Sequence, residues 1–230
     1  MLYEHIFFDL DHTLWDLETN SRETLNELFT EHELTEKGIA SPEDFIKEYH
    51  HINERMWEEY RKGLIDKETL RYARFHEAFQ LFGINDKPLA ERFGKDYVEN
   101  GPLKTNLFPH TIEVLEYLQK KYSLHIITNG FEEVQHIKMK HSGIEGYFLN
   151  TITSEAAGFK KPDIRIFEYA LKTADARVEN SLMIGDNLEA DIIGAREAGL
   201  HQLLFNPKGE SHGEEITYEI KSLKELFDLL

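Results

Sequence analysis

The chain has 230 residues, 40% hydrophobic and 30% charged, proportions that fill a packed core inside a solvated surface and exclude a disordered chain. Twenty-six Lys and Arg against 43 Asp and Glu give a net charge of −17, which excludes a broad basic footprint for nucleic acid or anionic membrane, so an anionic substrate must be held by local charge. With no cysteine there is no disulfide framework, thiolate metal site or Cys nucleophile, which fits a reducing compartment.

Met1 to His5 carries no basic run, and Asp9 interrupts the apolar Ile6-Phe7-Phe8 that follows. No stretch approaches the roughly 20 apolar residues of a bilayer span, so the expectation is a soluble cytoplasmic protein that uses neither membrane nor nucleic acid polymer. Residues 5–10 read as a short buried strand entering an acidic turn. Residues 17–101 then read as an all-helical insertion, with helical spacing over 21–34, 41–62 and 66–82, N-cap signals at Ser41 and Asp66, and stops at Gly63 and Gly83. Beyond it, helix and strand alternate: helix 110–121, strand 124–128, helix 132–141, helix 163–173, strand 181–185, helix 188–198 and strand 202–205. A short strand and a helix capped by Ser222 close the chain between 216 and 230. The alternation predicts an α/β core over 1–16 and 102–230 with a doubly wound parallel sheet.

Four segments at the carboxyl edge of that sheet carry chemistry, in the place where open α/β sheets gather ligands. Asp9-Leu10-Asp11-His12-Thr13 follows the first strand and sets two carboxylates together, which repel unless a cation or proton lies between them. Thr128-Asn129-Gly130 ends the second predicted strand, where a hydroxyl, an amide and turn N–H groups can donate to a phosphoryl oxygen. Lys161, fixed before Pro162, is a compact cation suited to a phosphate or a carboxylate nucleophile. Asp186 ends strand 181–185 and can face Asp9 and Asp11 in an oxygen-only cluster suited to Mg²⁺, while Asp191 fits as a partner that orients Lys161 or a metal-bound water. The alternative readings are ordinary ones: acidic caps, a turn, a surface lysine and helix capping by Asp186.

Taken in order, these segments resemble the four motifs of the haloacid dehalogenase-like hydrolases, matched at Asp9/Asp11/Thr13, Thr128, Lys161 and Asp186/Asp191. The insertion stands where that family places a helical cap. The resemblance implies a Rossmann-like core and a phosphoryl-transfer enzyme: Asp9 is the nucleophile that forms an aspartyl-phosphate, and Asp11 is the acid/base, its pKa raised by crowding from Asp9 and Asp186. Mg²⁺ is held by Asp9, the Asp11 backbone carbonyl and Asp186; Thr128, Asn129 and Lys161 bind the substrate phosphate, and Thr13 and Asp191 support the site. A dehalogenase lacks an acid at the position of Asp11, which favours phosphate chemistry. His12 departs from the Gly commonly found there.

The run 126–131 and the stretch 56–63 resemble the branch that dephosphorylates pyrimidine nucleoside monophosphates, so the expected substrate is a small phosphorylated metabolite, a nucleotide. Trp57, Tyr60 and Phe131 are aromatic residues that can stack on a base or sit in a core. Two rivals stay open: a sugar-phosphate mutase or phosphatase of the β-phosphoglucomutase kind, which shares motifs and cap, and a phospho-receiver signalling module, against which the helical insertion argues. Oligomeric state is not legible in the sequence.

Overall fold

The computed structural model describes residues 3–230; Met1 and Leu2 of the N-terminal run lie outside the described residues. The chain divides into two compact units, one running Glu18–Lys104 and the other made of the residues on either side of it.

The flanking segments form an α/β unit around six parallel strands: β1 (His5–Phe8), β2 (Ser123–Thr128), β3 (Asn150–Thr153), β4 (Ser181–Gly185), β5 (His201–Phe205) and β6 (Tyr218–Ile220). Their order is β3-β2-β1-β4-β5-β6, with every neighbouring pair parallel. Side chains alternate across a strand, and the apolar runs supply both faces. Ile6, Phe8, Leu124, Ile126, Leu182 and Ile184 pack into one core, while Phe7, Ile127 and Met183 pack into another on the opposite face. The expected strands are present, and β3 is an addition: Asn-Thr-Ile-Thr, half-exposed over its first two residues, is an edge strand too short and too polar to read as an apolar run.

The helices of this unit are α5 (Thr111–Leu118), α6 (Glu132–His141), α7 (Ser154–Ala157), α8 (Ile164–Thr173), α9 (Gly194–Glu197) and α10 (Leu226–Leu229). The single helix expected over 188–198 is instead a π-helical turn, Leu188–Ile193, followed by α9. The wide turn is capped by Asn187, whose side chain accepts from Ala190 N at 2.8 Å. Helix capping therefore does not use Asp186.

The Glu18–Lys104 unit holds helices α2 (Pro42–Arg61), α3 (Lys67–Leu81) and α4 (Lys87–Asn100), with α1 (Leu17–Glu31) starting at its border. Ser41 and Asp66 cap α2 and α3 by accepting from Asp44 N (3.1 Å) and Thr69 N (2.8 Å). Gly63 and Gly83 close those helices at φ +71° and +80°, a region a β-carbon disfavours. Helix α4 was not expected, because Pro88 and Gly94 dilute its pattern; Asp86 caps it, and Gly94 lies where a Cβ would press on the backbone of α3. Among the described residues no helix is long and apolar enough to cross a membrane.

Candidate active site

Strands β1 and β4 are neighbours at which the strand order reverses, the crevice where doubly wound sheets receive ligands. Asp9 leaves the carboxyl end of β1 and its N–H continues the ladder to Ile184 O at 2.8 Å, which fixes its position beside Asp186 at the end of β4. Thr13 Oγ1 donates to Asp186 Oδ1 at 3.0 Å, closing the loop after β1 onto β4. Asp9, Asp186 and Asp191 each present a carboxylate oxygen within 4.8 Å of the others.

Lys161 sits inside this cluster at 2% exposure. Its ammonium donates to Asp9 Oδ1 (2.5 Å), Asp191 Oδ1 (2.5 Å) and Ile127 O (2.8 Å), so all three N–H groups are matched. Lys161 thereby clamps Asp9 beside Asp191. Burial opposes its charge, but Asp191 and Asp9 outweigh burial and raise its pKa. One ammonium does not neutralise three carboxylates. Burial pushes the Asp9 carboxyl well up, Lys161 opposes this, and Asp191, Asp186 and Asp11 add to the rise. Burial, then Asp191, likewise lifts Asp186 to about 7. This surplus of buried negative charge, all on oxygen donors, fits a hard divalent cation. Asp191 also accepts from Asn187 N at 3.0 Å, and its carboxylate lies against Gly185, where any Cβ would overlap it.

Asp11 departs from expectation. Its side chain is not in the three-carboxylate group. The carboxylate instead accepts from Lys138 Nζ at 2.6 Å and from Gln135 Nε2 at 2.8 Å. Burial alone would raise its pKa, yet Lys138, assisted by Gln135 and His12, overcomes burial and lowers it, the reverse of the rise expected from crowding. Lys138 is 7% exposed and lies 4.4 Å over the Trp15 ring, which supports a buried ammonium. Gln135 Nε2 also reaches Thr128 Oγ1 at 2.7 Å, and Gly130 N donates to the same hydroxyl at 3.1 Å. With both acceptor directions filled, the Thr128 hydrogen is left to donate. Gly130 has no side chain because the Gln135 amide occupies that space.

The Asn129 amide is anchored on the Lys161 backbone. Its Nδ2 donates to Lys161 O at 2.9 Å and its Oδ1 accepts from Lys161 N at 2.8 Å, so the side chain ties the Lys161 loop to the end of β2. His12 is exposed at φ +62°, the left-handed conformation that explains why Gly suits this position. Of the candidate stacking residues, Tyr60 and Phe131 are buried and Trp57 is half-buried, edge-on to Tyr60 at 5.6 Å.

The sequence profile of the haloacid dehalogenase-like hydrolases matches residues 3–199. The chain is 32% identical over 233 residues to pyrimidine 5'-nucleotidase YjjG of Escherichia coli, covering 100% of this chain and 99% of that protein. It is 31% identical over 235 residues to pyrimidine 5'-nucleotidase PynA of Streptococcus pneumoniae, covering 100% and 96%. The solved structure of the HAD-hydrolase YfnB of Bacillus subtilis, bound to magnesium, matches with a TM-score of 0.91 at 27% identity, covering 100% of this chain and 99% of that one.

Proposed function

Because the chain belongs to the haloacid dehalogenase-like hydrolases, we propose that it is a phosphomonoesterase acting through an aspartyl-phosphate on Asp9, with pyrimidine nucleoside 5'-monophosphates as substrates. One observation carries the chemistry: Asp9 Oδ1 is clamped by Lys161, its Oδ2 has no partner among the described residues, and a second carboxylate, Asp11, follows two residues on. In the first half-reaction Asp9 Oδ2 attacks phosphorus, the ester bond breaks, and the departing oxygen takes a proton from Asp11. In the second, Asp11 accepts a proton from the water that attacks phosphorus, and the bond to Asp9 breaks to release phosphate. Paired with Lys138, Asp11 is in the carboxylate form that the second step needs; donation in the first requires that pair to loosen. The Thr128 hydroxyl holds a phosphoryl oxygen. The helical unit serves as the cap that reads the leaving group.

Asp9, Asp186 and the Asp11 backbone carbonyl would hold Mg²⁺, a choice supported by the oxygen-only donor set and by the magnesium in the YfnB structure. Bound there, the ion would offset the negative charge of nucleophile and phosphate. Activity should be lost in EDTA and return with Mg²⁺, Mn²⁺ or Co²⁺; full turnover in metal-free buffer would exclude the assignment.

Phosphate release from nucleotides and sugar phosphates with Mg²⁺ tests the substrate: a nucleotidase releases phosphate from UMP without an activator, whereas a mutase needs a bisphosphate and releases little. Asp11→Asn tests the acid. In single-turnover phosphorylation of Asp9 it should slow UMP by roughly 10²- to 10⁴-fold and p-nitrophenyl phosphate far less, because p-nitrophenolate leaves without a proton. An equal loss on both substrates would remove Asp11 from that role.

A further inference from the structure

Two polar residues of α6, Gln135 and Lys138, point into the protein and not to solvent, at 0% and 7% exposure. They stand three residues apart, so one helical face carries both. Together they hold the Asp11 carboxylate by both oxygens: Lys138 Nζ donates to Oδ1 at 2.6 Å and Gln135 Nε2 to Oδ2 at 2.8 Å. A carboxylate bonded on one oxygen is free to turn about its Cβ–Cγ bond; one bonded on both turns only by losing a bond. Every group in this arrangement belongs to the α/β unit.

Holding Asp11 in this way costs stability. Gln135 Oε1 is buried with no hydrogen-bond partner, and an unmet buried acceptor carries a penalty that an apolar side chain of similar size would avoid. Turning the amide over would be worse, because its oxygen would then press on the Asp11 carboxylate. The side chain is thus set for its nitrogen. The same Nε2 reaches Thr128 Oγ1 at 2.7 Å, which ties the carboxylate to the hydroxyl at the end of β2. Gly130 makes the room: it is not in the left-handed region, yet a Cβ there would come within 2.3 Å of Gln135 Nε2. Lys138 is fixed as well, its ammonium 4.4 Å over the ring of the buried Trp15, whose carbonyl accepts from His12 N at 3.0 Å in the loop that carries Asp11. Both partners of Asp11 are donors. They suit it as the acceptor of a proton, and as placed they offer nothing to the hydroxyl of a protonated carboxyl. A costly polar arrangement of this kind is retained where function opposes the more stable alternative.

We infer that Gln135 and Lys138 are positioning residues that aim the Asp11 carboxylate at the water hydrolysing the aspartyl-phosphate, and so act on the second half-reaction. The inference rests on the phosphatase reading. In that step the water oxygen bonds to phosphorus, the bond from phosphorus to Asp9 breaks with its electron pair returning to the carboxylate, and the water proton passes to Asp11. Neither α6 side chain exchanges a proton; each fixes the direction of the Asp11 lone pairs.

p-Nitrophenyl phosphate separates the two half-reactions, because p-nitrophenolate leaves without a proton from Asp11. With Mg²⁺ present, the burst of p-nitrophenolate reads formation of the phosphoenzyme, and the decay of labelled, acid-quenched phosphoenzyme reads hydrolysis. In Gln135→Leu and in Lys138→Met, hydrolysis should slow roughly 10- to 100-fold while the burst rate changes less than about threefold, so that phosphoenzyme accumulates. In an Asp11→Asn background, Lys138→Met should slow hydrolysis by no more than about twofold further, since residues that act through one group are not additive. Burst and hydrolysis falling alike, or a full further loss in the Asp11→Asn background, overturns the inference and leaves the pair a packing role. Should Lys138→Met fail to fold by circular dichroism, Gln135→Leu decides by itself, because it removes no charge and takes away the unmet acceptor. A parent protein that forms no phosphoenzyme overturns the phosphatase reading and this inference with it. A parent that turns over, beside variants whose hydrolysis is unchanged, overturns the inference alone.

Discussion

Asp9→Asn is expected to cut phosphate release by roughly 10⁴-fold or more while the protein stays folded. The asparagine keeps the shape of the residue and its backbone bond to Ile184 but is not a competent nucleophile, so no aspartyl-phosphate accumulates. Stability should hold or rise, because the substitution removes one of three carboxylates crowded around a single ammonium and leaves the Lys161–Asp191 pair in place. Acid quench after mixing with labelled nucleotide reads the intermediate, and urea unfolding reads the stability. A phosphoenzyme formed by the variant would place the nucleophile elsewhere.

Lys161→Met should have the largest effect on stability. The methionine fills the space of the lysine stem but strands Asp9 and Asp191, both buried, without their cation. Breaking a buried pair in this way costs about 3–5 kcal/mol, a large part of the stability of an ordinary domain. Asp191→Asn in the same chain should recover part of that loss, since it removes one of the stranded charges; the two substitutions are therefore non-additive in a double-mutant cycle. Urea midpoints in metal-free buffer measure both quantities. Additive losses would mean that Lys161 stabilises through packing and not through the cluster.

Much of the sheet was legible because strands buried on both faces are written as continuous apolar runs, and the ends of those runs located Asp9, Thr128 and Asp186. Strand β3 and helix α4 were not legible for the opposite reason: an edge strand needs no apolar run, and α4 packs through Gly94, a residue that weakens a helical pattern in sequence. Gln135 and Lys138 carry no such signal, because a polar residue on a helix reads as solvated surface and only the fold brings them to Asp11. One signal was present: they stand three residues apart on α6, on one helical face, just after the Thr-Asn-Gly turn. The direction of the Asp11 shift failed with them, since crowding by carboxylates was visible in sequence and the lysine that outweighs it was not.

The position of β1 has a consequence for biosynthesis. It is made before the other five strands of the sheet, yet it lies in the middle of it, and its register partners begin at Ser123 on one side and Ser181 on the other. The Glu18–Lys104 segment is contiguous and can complete its own contacts as soon as it is made, whereas an apolar strand ending in Asp9 must wait for most of the chain. Throughout that interval Ile6, Phe7 and Phe8 have no sheet to enter, which makes the nascent β1 segment the place where a chaperone would most improve the yield of native protein.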